Sequence, residues 1–251
     1  MVAGVTLDGV PAGVLARRWG VPHCHLAAQV RSTLDVAHAL GEDGAPAGTV
    51  VVALEQTAGR GREGRVWHSP PGGVWLAVLL RPRAAALGIV SIRAGLVLAD
   101  VVDELLGASA ARLKWPNDVL LEDRKLAGVL CEGRWQGDAL QWLTVGLGVN
   151  VANDIPQAVR GRAIALAERL PGVRRIDLLD RLVPALPRLA SHGAGLSESE
   201  CAAYAVRDWL RDRELRHPVA GRAVGLRADG ALLVGTAAAP TAVREGHVEL
   251  A

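Results

Sequence analysis

The chain has 251 residues, half of them hydrophobic and 22% charged, which allows one substantial domain plus a small appendage and excludes a disordered chain. No apolar run reaches the roughly 18 residues of a membrane span, and no apolar signal segment follows Met1, so a cytoplasmic protein without a membrane partner is expected. A net charge of only +2 with no basic tail gives no sign of a nucleic-acid partner, and Cys24, Cys131 and Cys201 lack the spacing of a disulfide framework or metal site.

Residues 1 to 26 are turn-rich, with one helical turn predicted around Val14 to Trp19. A helix is predicted from Ser32 or Thr33 to Gly41, because a hydroxyl cap precedes the spaced apolar positions Leu34 and Ala37. Thr49 to Leu54 is an uninterrupted apolar run of buried-strand type. Gly59-Arg60-Gly61-Arg62-Glu63-Gly64-Arg65 follows, without apolar residues of its own. That segment reads either as a solvated turn or as a loop that orders around an anion, with guanidiniums and glycine amides as donors. It has neither P-loop nor Rossmann spacing.

Val74 to Leu80 reads as a strand, Ile89 to Leu106 as a helix with Leu96, Ala99, Val102, Leu105 and Leu106 on one stripe, and Arg112 to Trp115 as a short strand stopped by Pro116. Asp118 to Leu121 and Lys125 to Cys131 flank Glu122-Asp123-Arg124 as a hairpin, and Ala139 to Val151 forms a further strand. Helices are predicted between Pro156 and Arg213, notably over Ile176 to Ala190 and Glu198 to Arg213. Beyond Gly221, short strands at 224–226, 231–234 and 247–250 with tight turns indicate a small β appendage.

Only two of the 28 basic residues are lysines, Lys114 and Lys125, and both lie in one short stretch. Amid so many arginines, they mark positions where a compact ammonium is wanted rather than a planar guanidinium. Lys114 projects near a strand end beside Asn117 and Asp118. The two glycines of Gly146-Leu147-Gly148-Val149-Asn150 permit close approach of a flat ligand, and Asn150 has the amide to read an adenine edge.

Taken in order, these segments resemble the biotin protein ligase family. The matching stretches are Gln29-Val-Arg-Ser32-Thr33, Glu55-Gln56-Thr-Ala-Gly59-Arg60-Gly61-Arg62-x-Gly64-Arg65-x-Trp67-x-Ser69-Pro70, Lys114-Trp-Pro-Asn117-Asp118, Lys125-Leu-Ala-Gly128-Val-Leu-x-Glu132 and Gly146-x-Gly148-Val-Asn150. The resemblance implies an α+β fold: a mixed central sheet with helices on one side, plus a small C-terminal SH3-like β-barrel. It divides the chain into an extension (1–25), a catalytic domain (26–215) and a reduced barrel domain (216–251).

The implied reaction activates biotin with ATP and Mg²⁺ to biotinyl-5′-AMP, then transfers biotin to a lysine of a biotin carboxyl carrier protein. By matched position, Lys114 and Arg62 are catalytic, and Ser32, Thr33, Gln56, Arg60, Gly61, Arg62, Lys114 and Gly128 surround biotin. Asn117, Lys125, Asn150, Arg60 and Arg62 lie on the nucleotide side. No residues of the chain are assigned to a metal. The alternatives are a related lipoate or octanoate ligase and a non-catalytic biotin-binding member. An exposed sheet edge leaves a homodimer open. Leu34 departs from the family's usual Asn or Gln, and His247 from its terminal Glu. No winged helix precedes Ser32, so repressor function is not expected.

Overall fold

A computed structural model of the chain describes residues 4–82, 87–191, 193–236 and 239–251. The chain opens with a small hairpin, β1 (Thr6–Leu7) and β2 (Val10–Pro11), followed by α1 (Ala12–Trp19), β3 (Cys24–Val30), α2 (Thr33–Glu42) and β4 (Val50–Gln56). Next come β5 (Val74–Leu80), α3 (Leu87–Leu106), β6 (Ala111–Lys114), β7 (Asp118–Leu121), β8 (Arg124–Gln136) and β9 (Ala139–Val149). After α4 (Arg175–Leu182) and α5 (Glu198–Arg207), the chain ends in β10 (Glu214–His217), β11 (Gly221–Leu226), β12 (Leu232–Gly235), β13 (Thr241–Val243) and β14 (Glu249–Leu250).

Seven strands form a mixed sheet in the order β3-β4-β5-β9-β8-β7-β6, and only β3 and β4 run parallel. The expected C-terminal β unit is a five-stranded antiparallel sheet, ordered β13-β12-β11-β10-β14. The α+β class therefore holds. The two-residue period of a strand sends alternate side chains to opposite faces. Val50, Val52, Leu76, Val78, Val145 and Leu147 join the main core with residues of α1, α3 and α4, while Val51 and Ala77 meet Leu34 and Ala37 of α2. The helices are thus not all on one side. α2 lies on the opposite face of the sheet from α3, and the site is on the α2 face.

Local chemistry explains where the elements stop. Ser32 is extended and its Oγ accepts from Leu34 N, so α2 begins at Thr33. Glu122 and Asp123 both adopt positive φ, making a two-residue hairpin turn that lets β8 start at Arg124. The helix predicted over Ile176 to Ala190 is instead α4 followed by 3-10 turns over Val183–Ser191, because Pro184 and Pro187 remove backbone donors.

The helix predicted to reach Arg213 ends at Arg207. Asp208 turns extended, and Trp209 N donates to Leu113 O, so the chain runs beside β6 instead. Between 156 and 174 there are only short 3-10 turns. His192 lies outside the described residues.

Two further contacts tie together segments distant in sequence. Trp115, 2% exposed, donates from Nε1 to Gly230 O at 3.0 Å, which joins the end of β6 to a turn of the C-terminal sheet. Asp8 pairs with Arg175 and accepts from Ile176 N, anchoring the first hairpin to α4.

Candidate active site

The face beneath α2 carries Trp142, Thr144, Gly146 and Gly148 along β9, with Glu132, Leu130 and Gly128 paired to the last three on β8. The glycines are required by close packing. A Cβ on Gly146 would lie 3.0 Å from Leu34 Cδ2, and one on Gly148 would lie 2.4 Å from Trp67 Nε1. The flat group over these strands is therefore the indole of Trp67, whose other edge reaches Gly128. Its Nε1 is buried without a hydrogen-bond partner among the described residues. Leu34, at the position where a polar side chain is usual, is buried in an apolar cluster with Ala37, Val51 and Ala77.

At the N-terminus of α2 the predicted polar residues converge. Gln56 Oε1 accepts from both Thr33 N (2.8 Å) and Thr33 Oγ1 (3.1 Å), while Gln56 Nε2 donates to Ser69 Oγ at 2.9 Å. Ser69 in turn donates to Trp67 O. Gln56 thereby clamps the helix start to the loop, and Ser32 and Thr33 are buried beside it. Ser69 was not singled out from sequence, although it stands in the matched motif.

The Gly/Arg segment is ordered, although its tip at residues 63–66 is exposed. Arg60 bridges to Val66, Trp67 N donates to Gly59 O, and Gly61 N donates to Arg65 O, so the segment folds into a hairpin of its own. Its tip is a 3-10 turn over Arg62–Gly64, where Glu63 and Gly64 take positive φ. Arg60 reaches Asp35 at 2.6 Å and Glu132 at 3.2 Å. Asp35, Glu132 and the burial they offset leave the guanidinium above its usual range. Arg62 is half-buried and has no ion pair among the described residues. Gly61 lies between these two arginines, and its N–H is already used within the hairpin.

The two lysines meet at the other end of the site. Lys125 Nζ is 2.6 Å from Asp118 Oδ1 and 5.0 Å from the Trp67 ring centroid. Lys114 projects from the end of β6, opposite Asp118 in register, with its Nζ 5.2 Å from the Trp209 centroid. Burial pushes the Lys114 ammonium below its usual value. Asp118 opposes this, while Lys125, Arg65 and Arg213 add repulsion. Trp209 and Arg213 come from the chain leaving α5, and no local pattern in the sequence points to them.

The asparagines are less free. Asn117 Nδ2 donates to Val129 O, and Asn117 O accepts from Val129 N, so its side chain secures β8. Asn150 is buried and its Oδ1 accepts from Asn153 Nδ2, while Asn153 Oδ1 accepts from Val151 N. Asn153 thus orients Asn150, leaving Asn150 Nδ2 without a partner among the described residues. Such an arrangement can receive a polar ring at the start of α2 and anions at the lysine end.

The biotin/lipoate A/B protein ligase family profile matches residues 26–150. The bifunctional ligase/repressor BirA of Bacillus subtilis strain 168 is 31% identical over 87% of this chain and 71% of its own length. The biotin–[acetyl-CoA-carboxylase] ligase of Paracoccus denitrificans is 45% identical over 41% of this chain and 44% of its own.

Among solved structures, the biotin protein ligase of Aquifex aeolicus in complex with biotin and ATP superposes with a TM-score of 0.75 at 28% identity, covering 92% of this chain and 99% of that one. The Leishmania major enzyme in complex with biotinyl-5-AMP gives 0.64 at 26% identity, covering 89% and 99%. The chain belongs to the biotin/lipoate A/B protein ligase family. Among the described residues no helix is long and apolar enough to cross a membrane.

Proposed function

We propose that the protein activates biotin with MgATP to biotinyl-5′-AMP and transfers biotin to a lysine of a biotin carboxyl carrier domain in the cytoplasm. The observation that carries this reading is the charge imbalance around Lys114. Three cations lie near it and a single carboxylate opposes them, while at the other end of the site the polar groups of the helix start are already paired. A vitamin carboxylate and a triphosphate are the anions such a site lacks. The ligands printed for the two structural neighbours, biotin with ATP and biotinyl-5-AMP, support it, and the name of the Paracoccus relative supports a carboxylase carrier.

In the first step a biotin carboxylate oxygen bonds to the α-phosphorus while the bond to pyrophosphate breaks. Lys114 and Arg62 neutralise the charge where these anions meet, and each donor so aimed is worth about 10²–10³ in rate. Ser32, Thr33, Gln56, Arg60, Gly61 and Gly128 shape the biotin side, with Arg62 and Lys114 at its carboxylate. Arg60, Lys125, Asn117 and Asn150 support the nucleotide side, with Mg²⁺ arriving on the triphosphate as part of the substrate. In the second step the carrier amine attacks the acyl carbon, loses a proton and releases AMP. Residues 26–215 are the catalytic unit of this reading, 216–251 the C-terminal unit and 1–25 an extension.

The test incubates the purified protein with ATP, a carrier domain and either biotin or lipoate. Streptavidin blotting reads carrier labelling and a coupled assay reads pyrophosphate release. Biotin-dependent labelling is expected; pyrophosphate release with lipoate alone, or biotin binding without release, overturns the reading.

A further inference from the structure

We propose that His38 is a positioning residue for the Gly/Arg loop: it fixes Glu132, and Glu132 with Asp35 fixes Arg60. The imidazole sits on α2, one turn after Asp35, so a single helix face presents both anchors. Trp142 Nε1, which can only donate, lies 3.1 Å from His38 Nδ1. Nδ1 is therefore an acceptor and the ring proton is on Nε2. That nitrogen lies 3.2 Å from Glu132 Oε2 and 3.0 Å from Thr144 Oγ1. Thr144 spends its own proton on Glu132 O at 3.2 Å, which leaves its oxygen lone pairs facing Nε2–H. Every hydrogen-bonding atom of the ring is thus satisfied in one tautomer.

The consequence falls on the loop rather than on the helix. Glu132 Oε2 is the oxygen that also meets Arg60 Nη2, at 3.2 Å. The His38 bond holds the Glu132 carboxyl below its usual range against burial, with Arg60 adding to the effect, so the carboxylate is charged whenever the loop needs it. Without the imidazole, Glu132 is free to swing toward solvent and Arg60 keeps only the half-exposed Asp35. A half-buried histidine serving only to fill space needs no carboxylate partner; this one links α2, β8, β9 and the loop.

The experiment compares His38→Leu with His38→Gln, whose amide can donate to Glu132 in the same way. Limited trypsin digestion of the ligand-free protein, with mass spectrometry of the products, reads cleavage after Arg60, Arg62 and Arg65. His38→Leu is expected to be cut in the loop about tenfold faster than wild type, and His38→Gln within about twofold of it. The kinetic arm rests on the proposed function: because Arg60 is assigned to both substrates, His38→Leu raises KM for biotin and for ATP about tenfold with kcat little changed, and His38→Gln restores both.

Loop cleavage of folded His38→Leu at the wild-type rate overturns the proposal whatever the activity. Absence of biotinylation by the wild type overturns the function instead, and leaves the digestion result standing. If His38→Leu fails to fold, Glu132→Gln carries the same test, and wild-type cleavage in that variant is equally fatal.

Discussion

The two ends of the site are built on opposite electrostatic terms. At the start of α2 the polar side chains are paired: Gln56 joins Thr33 to Ser69, and Arg60 lies between Asp35 and Glu132. At the strand end, Lys114 rests on an indole face among other cations, with one carboxylate nearby that Lys125 already holds. The first end is finished before any ligand arrives. The second stays short of negative charge until its substrates enter. On the proposed reading, binding and chemistry would be separated on the same face of one sheet.

That contrast is open to attack, most strongly at the lysine. Lys114→Met keeps the reach of the side chain and removes its charge. Adenylate formation, read as pyrophosphate release, is expected to fall by about 10²–10³. The melting temperature should hold or rise, because a half-buried cation whose one nearby carboxylate is already paired with Lys125 is relieved. A parallel loss of folding and activity would show that the strand end is not short of anions.

A smaller effect is expected at the arginines. Arg62→Ala should lower turnover about tenfold or more and leave the melting temperature unchanged, since no ion pair is lost. Arg60→Ala frees two carboxylates and should lower the melting temperature as well as weaken biotin binding. The difference between the two variants, measured by thermal melts alongside turnover, is the comparison in miniature.

The smallest effect is in the pH profile. Burial lowers the affinity of Lys114 for its proton, so its charge is lost as pH rises through a value below the usual 10.5. Adenylate formation should therefore show an alkaline limb below that of an ordinary lysine. Lys114→Arg, even if slow, should lack the limb. An unchanged profile in that variant would assign the titration to another group.

Much of this was legible along the chain. The glycines, the lysine pair and the helix cap at Ser32 announce themselves because backbone approach, a scarce ammonium and an N-cap each need particular residue types. What escaped is what distance in sequence hides. His38 becomes meaningful only when β8 brings Glu132 to it, Asn153 only when it turns back on Asn150, and Trp209 only when the chain leaving α5 joins β6. β3 escaped for a different reason. Its alternation of Cys24, Leu26 and Val30 with His25 and Gln29 is short and, on an edge strand with no fully buried residue, weak. The prolines at 184 and 187 break a segment whose apolar periodicity alone predicts one continuous helix.

The hydrogen bond from Trp115 to Gly230 carries one more implication. The residue beside Lys114 takes its indole partner from a segment more than a hundred positions downstream, so the reactive end of the sheet inherits the integrity of the tail. Trimming the last strands by proteolysis would silence the chemistry from afar, with no group that touches a ligand removed.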